Sequence, residues 1–172
     1  YRPSKHSLSQ SQILLRNYTA DEARLPMREM VESLVLELLQ IKAVTKCIHV
    51  HIGYAAEDVK STGGSRTLAH YTDSFQELCP AVLALFDKYK RPHELIRRIA
   101  VSFEELVNKA AVPTEMDLFS NALTEAAEQE EHIQKTMLNI KGRFGKNAIL
   151  RASSLQEEGT MQFRNTLIGG HN

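Results

Sequence analysis

Two hydrophobic spacings alternate along the chain, and their order predicts the fold. Met27, Val31, Leu34, Leu38 and Ile41 recur every three to four residues, the stripe of an amphipathic helix. Thr19-Ala-Asp-Glu22 precedes it as a capping box, in which hydroxyl and carboxylate satisfy free N–H groups. Pro26 lies just inside, so it either kinks the helix or marks where the regular helix begins. Leu78, Val82, Leu85, Phe86 and Tyr89 form a second stripe, with a cap expected within Asp73 to Gln76. Between the helices the spacing changes to two. Thr45 to Gly53 alternates, with Ile48, Val50 and Ile52 on one side and Thr45, Cys47, His49 and His51 on the other. Ser61-Thr-Gly-Gly64 reads as a turn and Ser65 to His70 as a short returning strand. From Leu95 to Phe103, Leu95, Ile99, Val101 and Phe103 share one face, interrupted by Arg97. Ile96, Arg98, Ala100 and Ser102 share the other. Ser7 to Leu14 is polar and extended, an edge strand in which Leu8 and Ile13 break strict alternation.

The order is β-α-β-β-α-β. It implies an α+β fold, a four-stranded sheet with two helices on one face, followed by a C-terminal helical tail. Ala110-Ala-Val-Pro113 reads as a linker. Ile133, Met137, Ile140 and Phe144 predict a tail helix over 121–144, stopped at Gly145. The expected units are a domain at 1–108, a linker at 109–120 and a helix with a basic tail at 121–172. The tail stripe must pack on the domain, on a missing part of a longer protein or on a second copy.

Charge adds a distribution rather than a net value. The 172 residues carry 21 basic and 21 acidic groups, which excludes a polycation coating nucleic acid. Residues 110–134 hold six acids and no Lys or Arg, whereas 135–172 hold six basic groups and two acids. An apolar fraction of 42% can build a core. No apolar run approaches the ~18 residues of a membrane span. Two cysteines, Cys47 and Cys79, are too few for a disulfide framework. With no signal peptide in view, a cytoplasmic chain without membrane contact is expected. It opens at Tyr1 rather than Met, so a piece of something longer is expected.

With helices on one face, the other sheet face is bare and polar, and it carries Thr45, His49, His51 and Arg98. Nucleic-acid backbones accept hydrogen bonds from hydroxyls, strand N–H groups, Arg and Lys. Lys5, Ser7, Ser9 and Ser11, then Arg66 and Thr67, then Arg97 and Arg98, fit that chemistry. The face offers no central aromatics on which bases stack, which points to duplex backbone rather than single-strand readout. The same residues also suit a merely solvated face, or one that docks a protein partner. Cys47, His49 and His51 are zinc-type ligands on one strand side but lack a fixed fourth partner. No Ser/His/Asp arrangement, HExxH or phosphate loop is present.

Lys46-Cys-Ile-His-Val50, Gly64-Ser-Arg-Thr-Leu68 and Ile96-Arg-Arg-Ile-Ala-Val-Ser-Phe103 resemble the little-finger domain of Y-family translesion DNA polymerases. Lys5 to Gln12 is similar to that domain's first strand. Arg143 to Ser154, Arg164-Asn165 and Ile168 to His171 resemble the C-terminus of a UmuC-like branch of Gram-positive bacteria, within the ImpB/MucB/SamB family. The resemblance implies a β-α-β-β-α-β domain whose bare face grips primer–template backbone and adds Ser65 to the contact set. It implies catalytic carboxylates and Mg2+ in a palm domain that this chain lacks, so no cofactor is expected in the fragment and no polymerisation by it. Implied partners are duplex primer–template DNA, the sliding clamp and the rest of the polymerase chain, in a bacterial, nucleoid-associated setting. Glu115-Met116-Asp117-Leu118-Phe119 resembles the pentapeptide with which bacterial polymerases engage the clamp, with Glu in place of the usual Gln. Met116, Leu118 and Phe119 suit a hydrophobic pocket. The same residues also suit a staple into the next helix.

Overall fold

The computed structural model describes residues 6–112 and 121–167. Strands β1 (Ser7–Tyr18), β2 (Ala43–Tyr54), β3 (Thr62–Thr72) and β4 (Ile96–Glu104) form an antiparallel sheet in the order β1-β4-β2-β3. Helix α1 (Ala20–Ile41) links β1 to β2, and α2 (Phe75–Tyr89) links β3 to β4. Each crossover leaves room for one strand between its pair, so the two units interlock. A two-residue strand, β5 (Val107–Asn108), pairs with the start of β2 and makes the sheet five-stranded rather than four. The tail contributes α3 (Asn121–Phe144) and a short α4 (Met161–Arg164).

Both helices begin where the caps predict. Thr19 Oγ1 accepts the Glu22 N–H at 3.2 Å while the Glu22 carboxylate accepts the Thr19 N–H at 2.8 Å. Pro26 is buried inside α1, and the helix runs from Ala20 through it. Ser74 caps α2. Met27, Val31, Leu34 and Leu38 of α1 pack with Leu78, Val82, Leu85 and Phe86 of α2 over Ile48, Val50, Ile52, Ile99, Val101 and Phe103. Ile41 is exposed, because α1 ends there and Lys42 takes a left-handed backbone, φ 55°.

Three local expectations change. Gly63 and Gly64 are not a turn but the start of β3, paired with His51 and Val50. A side chain at Gly64 would lie 2.4 Å from the Tyr89 ring, and one at Gly63 would lie 2.2 Å from the Val50 carbonyl. The glycines are there for close approach within a strand. On β1, Leu8 and Leu14 point inward while Ser7, Ser9, Ser11 and Ile13 are exposed, so alternation holds and Ile13 is an apolar residue on the outer face. On β4, Ile96 and Ile99 are both fully buried and Leu95 is exposed, the reverse of the alternation expected for 95 and 96. The register slips there: Gly53 pairs with Arg98 but Tyr54 pairs with Ile96, which leaves Arg97 as an extra residue. Such a bulge turns two successive side chains to one side. Arg97 and Arg98 therefore share the outer face.

The tail packs on the helix layer of its own domain. Gly145 ends α3 with φ 102°, as its position predicts. The buried face of α3 runs through Gln134 and Met137, whereas Ile133 and Phe144 are exposed, so the packed stripe is rotated from the expected one. The reason lies on α1 and α2, which present polar partners. Glu130 of α3 accepts the Ser74 hydroxyl at 2.6 Å and the Gln76 N–H at 3.0 Å at the start of α2. Glu29 and Glu32 of α1 are 1% and 3% exposed. Glu29 accepts the N–H groups of Thr160 (2.9 Å) and Met161 (2.5 Å), capping α4 from a distance. Glu32 pairs with Arg151 at 2.8 Å, whose guanidinium lies 4.3 Å over the Phe75 ring. Arg164 donates to Gln10 of β1 at 2.7 Å. Two of the tail's basic groups thus answer groups within the same domain.

Candidate nucleic-acid interface

Cross-strand register assembles the bare face into rows. Ser9, Ser102, His49 and Ser65 stand side by side across β1, β4, β2 and β3. Ser11, Ala100, His51 and Gly63 form the next row, and Ile13, Arg98 and Gly53 the one beyond. On the other side, Ser7, Glu104, Cys47 and Thr67 close the series. Directly opposed residues in antiparallel strands point to the same side, so each row is a line of side chains. Hydroxyls and imidazoles fill the centre. His49 Nδ1 lies 2.9 Å from Ser65 Oγ.

The register sorts the sequence candidates. Ser7, Ser9, Ser11, His49, His51, Ser65, Thr67, Arg97 and Arg98 share the open face. Thr45 does not. It is 0% exposed, and its hydroxyl donates to the Glu104 carbonyl at 2.7 Å, with the Cys47 carbonyl at 3.0 Å. A register slip between Thr45 and Cys47 buries it where β2 meets β5 and the bulging end of β3. Arg66 pairs with Ile48, whose side chain lies in the core, so Arg66 stands on the helix side of edge strand β3. Lys5 and the pentapeptide Glu115–Phe119 lie outside the described residues, as do Ile168–His171. Cys47 is buried opposite Glu104, and burial followed by the nearby acid pushes its thiol above the ordinary range. Among the described residues, no three His, Cys, Asp or Glu side chains are placed to hold a metal ion. Among them, too, no helix is long and apolar enough to cross a membrane.

Two members of the face are absent from the sequence-derived contact set: Ser102, which the alternation already places beside Arg98, and Glu104, which lies one step beyond it. Ser102 and Glu104 continue the alternation of β4, and that alternation was the available signal. Ser102 Oγ donates to Glu104 at 3.3 Å. An acid therefore stands at one end of the field and two arginines at the other.

The fold and this face define a class: a split β-α-β domain with one sheet face covered by helices and the other open, hydroxylated and flanked by arginine. Residues 5–118 match the family described as impB/mucB/samB family C-terminal domain. The chain belongs to that family. It is 29% identical to the putative UV-damage repair protein UvrX of Bacillus subtilis over 172 residues, 96% of this chain and 38% of that one. It is 31% identical to DNA polymerase IV of Bacillus velezensis over 125 residues, 72% of this chain and 29% of that one. The chain thus spans about a third of the curated relatives it matches. A solved structure titled as a complex of the β-clamp processivity factor and the little finger domain of PolIV aligns with a TM-score of 0.47 at 12% identity. It covers 66% of this chain and 99% of that one.

Proposed function

We propose that this chain grips duplex primer–template DNA by its backbone, on behalf of a lesion-bypass polymerase whose catalytic carboxylates and Mg2+ lie in a palm domain outside it. The observation that carries the reading is the Ser9–Ser102–His49–Ser65 row with Arg97 and Arg98 turned to the same side. Hydroxyls and guanidinium groups suit phosphate oxygens, and no Phe, Tyr or Trp stands in these rows to stack a base. Membership of a DNA polymerase family supports the same partner. Backbone contact carries no base information. Arg97→Ala/Arg98→Ala therefore weakens binding of a labelled duplex about equally for all sequences in fluorescence anisotropy. The slope of log affinity against log salt becomes shallower, by ~0.9 for each phosphate contact removed. Loss confined to one sequence contradicts the reading, as does an unchanged affinity.

The segment Glu115–Phe119 is the contact for the sliding clamp in this proposal, on the strength of its likeness to the clamp-binding pentapeptide. Leu118→Ala/Phe119→Ala abolishes clamp pull-down and leaves duplex affinity intact. A pull-down unchanged by the double substitution ends that assignment.

A further inference from the structure

The open face is polarised along its strands. Arg97 and Arg98 sit at one end of β4 and Glu104 at the other, six residues away. At a rise of about 3.3 Å per residue, roughly 20 Å of strand separates them. Between them lie only hydroxyl, alanine, glycine and imidazole rows. Glu104 is fixed rather than loose. Its carboxylate accepts the Ser102 hydroxyl, and its backbone carbonyl accepts the Thr45 hydroxyl. Its cross-strand neighbours are Ser7 and Cys47, neither a cation. Among the described residues no Lys or Arg ion pair neutralises it. A backbone-gripping surface gains nothing in affinity from a carboxylate beside its hydroxyl rows. Such a charge repels any phosphate that strays toward it.

We infer that Glu104 is a fence that fixes the register of the DNA backbone on the sheet. Phosphates are held on the rows from Arg98 to Ser102, and the Ser7–Glu104–Cys47–Thr67 row is closed to them. This rests on the proposed DNA-gripping face and names the side on which that face ends. The arrangement trades affinity for position: repulsion at one edge and attraction at the other leave one favoured placement across the strands. Ser7 and Thr67, although on the same face, lie behind the fence and contribute little to binding.

The test is anisotropy of a labelled primer–template duplex against the full 172-residue chain at several salt concentrations. It compares Glu104→Gln, Glu104→Lys and Arg98→Ala. Gln keeps the size of the side chain and an acceptor for Ser102, so the sheet is preserved. Removing one like charge tightens binding roughly two- to fivefold for Glu104→Gln. Glu104→Lys tightens it further and steepens the salt slope by ~0.9, the signature of one added phosphate contact. If Arg98→Ala weakens binding while both Glu104 variants leave it unchanged or weaken it, the fence is overturned and the gripping face stands. If none of the variants alters binding, the face itself is not the DNA site and the fence falls with it.

Discussion

The two faces of one sheet meet opposite fates in this domain. Over the helices, the chain returns to cover its own surface, and even carboxylates are buried there with partners supplied by the tail. On the other side, four strands stay uncovered, and their polar side chains make few bonds to one another. A covered polar group contributes to stability only if every partner is in place. An uncovered one is free to exchange water for a ligand. The helix side is therefore where substitutions unfold the protein, and the open side is where they change what it holds.

The sharpest way to break this contrast is Glu29→Leu. It leaves two buried N–H groups at the start of α4 without an acceptor and removes the carboxylate charge that acts on Arg164. A loss of about 3 kcal/mol is expected in chemical denaturation, with hydrogen-exchange protection lost first around residues 158–164. An unchanged denaturation midpoint would mean that the tail adds nothing to the fold. A smaller effect of about 1 kcal/mol is expected for Thr19→Ala, which removes half of the capping box.

Proton linkage separates two glutamates of α1. Arg16, followed by the Thr19 N–H, holds Glu22 down to about 2 from an ordinary 4.5. Its contribution is present above the ordinary value and is lost as pH falls toward 2. Glu29 runs the other way. Burial raises it, against the Thr160 and Met161 N–H groups and Arg164. Its ionisation therefore costs stability as pH rises through the ordinary carboxylate range toward its raised value. Thermal unfolding against pH should lose part of its acid limb in Glu22→Gln and should flatten in the opposite sense in Glu29→Gln. Identical profiles for the two variants would refute the assignment. At the small end, Ser102→Ala on the open face should shift stability by no more than about 0.5 kcal/mol. A larger loss would mean that the face is part of the scaffold after all.

Local pattern carried much of this molecule. Threonine and glutamate three residues apart capped α1. Helical stripes placed the inner faces of α1 and α2, and the alternation of β2 put His49 and His51 on the open side. These are properties of neighbours in the chain, and a period of two or 3.6 is visible without any partner. Glu104 was legible in the same way, one step beyond where the alternation of β4 was followed. Other features are settled between segments far apart in sequence. Thr45 looks like a surface residue until the register of β2 against β3 slips beside it. Arg97 and Arg98 share a face only because β4 bulges against β2, so that Ile96 joins the core. Gly63 and Gly64 look like a turn until Tyr89, at the end of α2, lies against Gly64. Glu29 and Glu32 are buried on α1, and nothing near them in sequence announces Thr160, Met161 or Arg151, more than 100 residues on. The sequence by itself determined the order of elements and which side of each is apolar, because those are set by spacing along one segment. Tertiary structure alone decided the bulge, the buried acids and the docking of the tail, because each depends on which distant backbone group or charge comes to lie opposite.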